Sequence, residues 1–339
     1  MDFELVLGIL RFILATTLLL LLTVPSAFLI IYLELKVIAL MQLRLGPNRV
    51  GPYGIFQAAI HGFKVLGKED VSPDQADKPT FTLAPWMVFM ASAMSMLVIP
   101  FAPGLIAADF NIGVIYFFAV IGLSVIGLLV AGWASYNKYS LLGGLRSAAQ
   151  MVSYEIPLTL SVVGVVILAG TLSFSDIIEW QRLHGWAVLW QLLGFPIFYI
   201  AATAEINRAP FDLVEADSEI VAGFATEYSG MRFGFFFFAE YVSLFIMSAI
   251  LVALFFGGWL APWPFPAELD PQWGILRSIY GLLWFFGKTY FFVFVSIWLR
   301  ATLPRVRVDQ LMGLAWKVLL PLALVNLFLT AIVVAVFEL

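Results

Sequence analysis

The chain has 339 residues, of which 62% are hydrophobic and only 12% charged; soluble proteins carry roughly 25% charged residues, so an ordinary soluble domain is excluded and a membrane protein expected. The net charge of −4 comes without a basic cluster interleaved with aromatics, which argues against a nucleic-acid partner. The absence of cysteine excludes disulfides, thiolate zinc sites and iron–sulfur clusters in this chain, and its two histidines, His61 and His184, lie outside the apolar runs, which excludes a bis-histidine haem.

In chain order, Asp2 and Glu4 precede an apolar run from Val6 to Leu33, which is too long for a signal-peptide core and reads as an uncleaved first span. A span needs about 20 apolar residues. Runs of that kind fall at roughly 7–33, 83–103, 112–133, 152–171, 187–205, 236–260, 276–300 and 315–337. The expected fold is therefore all-α and polytopic, with about eight transmembrane helices in a single domain over residues 1–339. Pro25, Pro157, Pro196 and Pro321 fall in or near spans, where each removes a helix hydrogen bond.

Most of the 18 basic residues sit in the odd-numbered loops, among them Lys36, Arg44, Arg49, Lys64, Lys68, Lys138, Arg208, Arg232 and Arg300. Positive loops mark the cytoplasmic side. Both termini are then expected on the non-cytoplasmic side, and nothing resembling a transit peptide precedes the first span, which points to a bacterial inner membrane.

The first cytoplasmic loop carries Gly-Pro-Asn-Arg-Val-Gly-Pro at residues 46–52, a turn-forming string. Residues 53–68 then suit a short amphipathic helix in the interface. Gln57, His61, Lys64 and Lys68 form its polar stripe; Phe56, Ala59, Ile60 and Phe63 form its apolar face. Such a helix is either an anchor with snorkelling lysines or one wall of a lateral opening for an amphipathic, lipid-like molecule.

The third cytoplasmic loop gathers Glu205, Asp212, Glu215, Asp217, Glu219 and Glu227 around Arg208 and Arg232. Pro210 suits a helix start, and Asp212, Glu215 and Glu219 would share one helix face, where like charges repel. The bland reading is a solvated acidic loop. Interleaved Phe211, Val214, Ile220, Val221 and Phe224 argue for burial on one side instead. Glu155 opens the fourth span, Glu205 closes the fifth, Glu240 lies inside the sixth and Lys288 near the middle of the seventh. Ionisable groups at membrane depth are candidates for function; a structural ion pair between Lys288 and Glu240 is the plain alternative.

Both loops resemble those of one family, the quinone-tunnel membrane subunit of respiratory complex I, the proton-pumping NADH:quinone oxidoreductase. The resemblance rests on Glu34, Lys36, Met41 to Pro52, Gln57, Lys64, Lys68 and Glu69, and on Ala204 to Ala216. It continues through Lys138 to Gly143, Ser153 to Glu155, Thr226 to Tyr228, Gly257 to Trp259 and Arg300 to Arg305. These strings run in order across nearly the whole chain. Leu35 stands where the family usually has Arg, His61 where it has Asp, and Gly122 where some relatives carry Glu.

The resemblance implies a quinone tunnel framed by the first and sixth spans and the amphipathic helix. Glu34, Lys36, Gln42, Arg44, Arg49, Gln57, His61, Phe224, Tyr228, Arg232 and Arg300 would line its path or entrance. Glu155, Glu205, Asp212, Glu215, Glu219, Glu227 and Glu240, together with Lys288, would couple quinone reduction to proton movement. It also implies quinone (ubiquinone or menaquinone) as substrate and no cofactor covalently bound to this chain, with flavin and iron–sulfur clusters only in partner subunits. The partners implied are peripheral-arm quinone-site and iron–sulfur subunits on the cytoplasmic face, small membrane subunits, antiporter-like pumping subunits and membrane lipids. Rival readings are the membrane anchor of a related hydrogenase, ferredoxin-linked or deazaflavin-linked complex, and a stand-alone secondary transporter, which would call for an internal repeat and discontinuous helices.

Overall fold

The computed structural model describes residues 3–213, 221–262 and 274–337. Its regular elements are helical, and the described residues hold no strand beyond a single isolated bridge between Ala102 and Leu105. The long helices are α1 (Phe3–Met41), α3 (Lys78–Ser95), α4 (Gly113–Ala134), α5 (Lys138–Ala169), α9 (Gly230–Phe255), α10 (Gly274–Thr302) and α12 (Leu320–Phe337). Between them lie α2 (Gln57–Leu66), α6 (Phe174–His184), α7 (Ala187–Trp190), α8 (Gly194–Glu205) and α11 (Val308–Leu314). Among the described residues, seven stretches are long and apolar enough to cross a membrane, α11 and α12 joining into one through a π-helical turn at Ala315–Leu319.

The fifth expected span, 187–205, departs from a continuous helix. It is divided into α7 and α8, with Gln191 at the division. The 12 residues of α8 rise about 18 Å, short of the roughly 30 Å of hydrocarbon. The cause is Gln191, which is fully buried. Its amide donates to Thr330 Oγ1 at 2.7 Å and accepts from Asn326 Nδ2 at 2.7 Å, both on α12. A Cβ at Gly194 would stand 2.6 Å from Gln191 Oε1, so any larger residue there would have to displace this amide. Irregular backbone at membrane depth is tolerated when protein buries it.

The core is organised around α9. From Val242 to Phe255 all but Ser243 are buried, and α9 packs on α1, α2, α3 and α10. By contrast, α12 keeps Leu322, Leu324, Val325, Phe328, Leu329 and Ile332 exposed, a surface suited to lipid or a neighbouring subunit. The helix α6 sits beside the end of α9, where Gln181 Nε2 donates to Ala253 O at 2.9 Å. The segment that follows ends with Arg208 against Glu240, 13 residues earlier on α9, or about 20 Å away. The return between α5 and α9 is thus made by α7 and α8 together.

Two further expectations are corrected. Residues 138–151 extend α5 rather than forming a loop, so Glu155 lies within that helix and not at its start. The interfacial helix is present but shorter than residues 53–68, running from Gln57 to Leu66. Phe56, Ile60 and Phe63 are exposed, while Ala58 is buried. The side turned to α1 and α9 carries Ala58, His61, Gly62 and Val65.

Candidate functional site

The site is built where α8 stops. Asn207 adopts a left-handed φ of 55°, a conformation asparagine tolerates at helix ends, and the chain turns inward. Gln150 on α5 fixes the turn by donating through Nε2 to Ala204 O and Phe211 O, each at 2.9 Å. Arg208 is thereby buried at 2% exposure and pairs with Glu34 of α1. Arg300 of α10 pairs with the other oxygen of Glu34. Glu240 Oε1 lies 3.8 Å from Arg208 Nε, and the guanidinium stands 4.9 Å from the centre of the Tyr241 ring. Burial alone would draw the Arg208 pKa down, but Glu34 and Glu240 carry it above its ordinary value. Three helices and the loop therefore meet at one charge cluster. Nearby, Arg305 donates to Asp212 Oδ2 at 3.2 Å, and Val306 N donates to Pro210 O at 3.0 Å.

Three cavities surround this cluster. One, of about 400 Å³, is apolar and opens between α1, α2, α3 and α9; Phe28, Phe63, Phe89 and Phe235 are among its walls. A second, of about 340 Å³, adds polar walls from Glu34, Arg44, Gln57 and Tyr241. The two share Ile31, Ala58, His61 and Phe237. A third, of about 80 Å³, lies deeper between Glu205, Asn207, Glu240, Ser124, Ser243 and Phe224, and shares Phe237 with the others. Glu205 is 2% exposed, and neither carboxylate oxygen has a hydrogen-bond partner among the described residues. Glu155 is near enough to act on it electrostatically. Gln150 Oε1, Asn207 Oδ1, Arg208 Nε and Nη1, and Asp212 Oδ1 are likewise buried without such a partner. Native interiors complete polar atoms of this kind with water, and the turn from 205 to 212 gathers several of them within an apolar bundle.

Of the expected entrance residues, Glu34, Arg44, Gln57 and His61 line the polar cavity, and Arg300 holds Glu34. Gln42 accepts from Arg44 Nε at 2.6 Å. Lys36 turns to Asn48 Oδ1 at 2.6 Å, and Arg49 is exposed without lining the cavity. Phe224 joins the deep cavity with Glu205, held there by Ser140, which donates to its carbonyl at 3.0 Å. Tyr228 and Arg232 lie elsewhere. Tyr228 stacks on Phe81 at 4.0 Å and donates to its carbonyl at 3.1 Å, and burial raises its phenol pKa. Arg232 pairs with Asp70 at 3.0 Å. Tyr228 thus ties the segment before α9 to α3, and Arg232 ties α9 to the loop after α2.

Of the expected coupling groups, Glu155, Glu205 and Glu240 cluster, and Asp212 is held by Arg305. Glu227 lies apart, in an open recess with Lys138, and accepts from Asn137 Nδ2 at 2.6 Å. Glu215 and Glu219 fall outside the described residues. The alternative reading, an ion pair of Lys288 with Glu240, is not what forms. Lys288 donates to Phe256 O at 2.7 Å and Leu260 O at 2.8 Å, beside the Trp186 ring. It caps the far end of α9, about 24 Å along the helix from Glu240. Sequence reasoning missed Gln150, Asn207, Arg208 and Tyr241 as members of the site. The available signal was a lone glutamine in α5 and an arginine set among six acids. No group of three or more His, Cys, Asp or Glu among the described residues could hold a metal ion.

A family model described as NADH dehydrogenase matches residues 13–331. The H-type subunit of NADH-quinone oxidoreductase from Brevibacillus brevis is 52% identical over 324 residues, covering 96% of this chain and 93% of the relative. That of Geobacillus kaustophilus is 51% identical over 321 residues, with 94% and 93% covered. That of Rhodospirillum centenum is 48% identical over 315 residues, with 93% and 91% covered.

Proposed function

The chain belongs to the NADH dehydrogenase family, as an H-type membrane subunit of NADH-quinone oxidoreductase, and from that premise we propose that its joined cavities are the path by which quinone reaches the enzyme, and its buried carboxylates the link to proton movement. The observation that carries the reading is the change of lining along the path. A quinone has a long apolar tail and a small polar head. The outer cavity offers the tail phenylalanine walls at membrane depth. The inner cavity offers the head Glu34, Arg44, Gln57 and Tyr241, backed by Arg208 and Arg300.

Coupling follows from proximity. Glu240 lines the deep cavity and also faces Arg208, which holds Glu34 at the head end of the path. A change in charge at the head site, created by reduction, acts through this cluster on Glu240 and Glu205. Moving one charge across 100 mV takes about 2.3 kcal/mol, and a change of about two pKa units in one carboxylate is worth about 2.7 kcal/mol. The group would titrate as a unit.

The peripheral quinone-site and iron–sulfur subunits would dock on the cytoplasmic face, where Leu43 and Leu45 are 96% and 87% exposed. Flavin and iron–sulfur clusters would sit in those subunits. The small membrane subunits and pumping subunits would flank the apolar outer helices. The location would be a bacterial inner membrane, with both termini outside. The anchor of a related hydrogenase, ferredoxin-linked or deazaflavin-linked complex is the runner-up, disfavoured by relatives at about half identity that carry the quinone enzyme's name.

The test is Ala59→Trp, which fills the outer cavity without touching the charge cluster. In assembled complex the KM for long-tailed quinone is expected to rise about tenfold, one missing apolar contact being worth roughly 1–3 kcal/mol. An unchanged KM contradicts the path.

A further inference from the structure

His61 stands at the junction of the two larger cavities, lining both. In the apolar cavity it is the one ionisable residue among those that form the wall. It makes no hydrogen bond or ion pair with any described residue. The charged and titratable groups that face it are Glu34 from α1, Arg44 from the loop after α1, Tyr241 from α9 and, one turn along its own helix, Lys64. Glu34 is already engaged by Arg208 and Arg300, so no free carboxylate is left to hold an imidazolium in this throat.

We propose that His61 is a charge gate on quinone occupancy, admitting the apolar guest when neutral and opposing it when protonated. The inference rests on the quinone path proposed above. The physical reason is hydration. With the cavity open, a cationic ring at the throat keeps its water. A hydrophobic tail in the same throat displaces that water, and an ion stripped of water without a partner is disfavoured. Occupancy and protonation therefore oppose each other. Protonation of an imidazole is favoured as pH falls, so quinone affinity falls with it.

The test measures the KM for a long-tailed quinone from about pH 5.5 to pH 8 in membranes carrying the assembled complex. The wild type is expected to show a KM about two- to fivefold higher at the acid end. His61→Gln is expected to give a low, flat KM and His61→Lys a high, flat one; His61 is exposed, so neither variant disturbs the core. A pH dependence that persists unchanged in His61→Gln overturns the gate. Ala59→Trp separates the two failures. If it raises KM while the His61 variants keep the wild-type slope, the path stands and the gate falls. If it leaves KM unchanged, the path falls and the gate with it.

Discussion

Arg208 shows how one residue can bind several elements at once. It lies on the loop after α8, pairs with Glu34 on α1, faces Glu240 on α9 and rests on Tyr241. Breaking a buried ion pair from one side strands a charge and costs about 3–5 kcal/mol. Arg208→Gln is therefore expected to lower the temperature at which assembled complex loses quinone reductase activity. Arg208→Lys is expected to restore little, because an ammonium cannot present the forked donors or the planar face that the site uses. Thermal inactivation curves of membranes carrying each variant measure this; a wild-type curve for Arg208→Gln contradicts the role. The charges at Glu34, Glu205 and Glu240 were legible in the sequence because ionisable residues beside apolar runs stand out. Their pairing was not legible, because Glu34 and Arg208 are 174 positions apart and nothing in local spacing joins them. Lys288 shows the converse. Its place within an apolar run suggested a carboxylate partner, whereas in three dimensions the nearest acceptors are the orphan carbonyls at the end of α9.

At the scale of elements, hydropathy located the helices but not their continuity. The 187–205 run is apolar enough to count as a span, yet Gln191 interrupts it by bonding sideways to α12. Such a break depends on a partner more than 130 residues away, so periodicity cannot reveal it. Gln191→Leu is expected to leave Asn326 and Thr330 short of partners, at roughly 1–3 kcal/mol for a stranded buried group. The measurable outcome is a lower inactivation temperature of the complex with its quinone KM unchanged. Loss of turnover at undiminished stability would instead assign the break a part in the reaction. The amphipathic helix was similarly half legible. Periodicity read its existence; which of its residues meet α1 and α9 is set by packing and not by local spacing. The large apolar side chains Phe56 and Ile60 are exposed, as they can be in a membrane, where lipid competes with protein for apolar surface. Small residues at Ala58 and Gly62 let α2 approach α1, with Gly62 set beside Phe28.

For the whole molecule, composition sufficed for an all-α membrane protein, and ordered strings in two loops sufficed for the family. A discontinuous helix was expected only of a stand-alone transporter, and one is present between α7 and α8. Family membership over nearly the full chain, rather than the absence of such a break, is what sets the transporter reading aside. A tunnel framed by the first and sixth spans and the amphipathic helix was an expectation of the resemblance alone; the volumes of the paired cavities depend on packing among α1, α2, α3 and α9, which local sequence does not give. The arrangement that results places an apolar cavity, a cavity with charged walls and a cavity lined by buried Glu205 side by side, each reaching Phe237. The link between quinone chemistry and proton movement is tested most directly at Glu205, which Gln can replace without a change of shape. Quinone-dependent NADH oxidation and proton pumping would be measured together in vesicles carrying assembled Glu205→Gln complex. Both are expected to fall by at least about tenfold, as for loss of a proton-transferring group; both rates at wild-type levels would contradict the account.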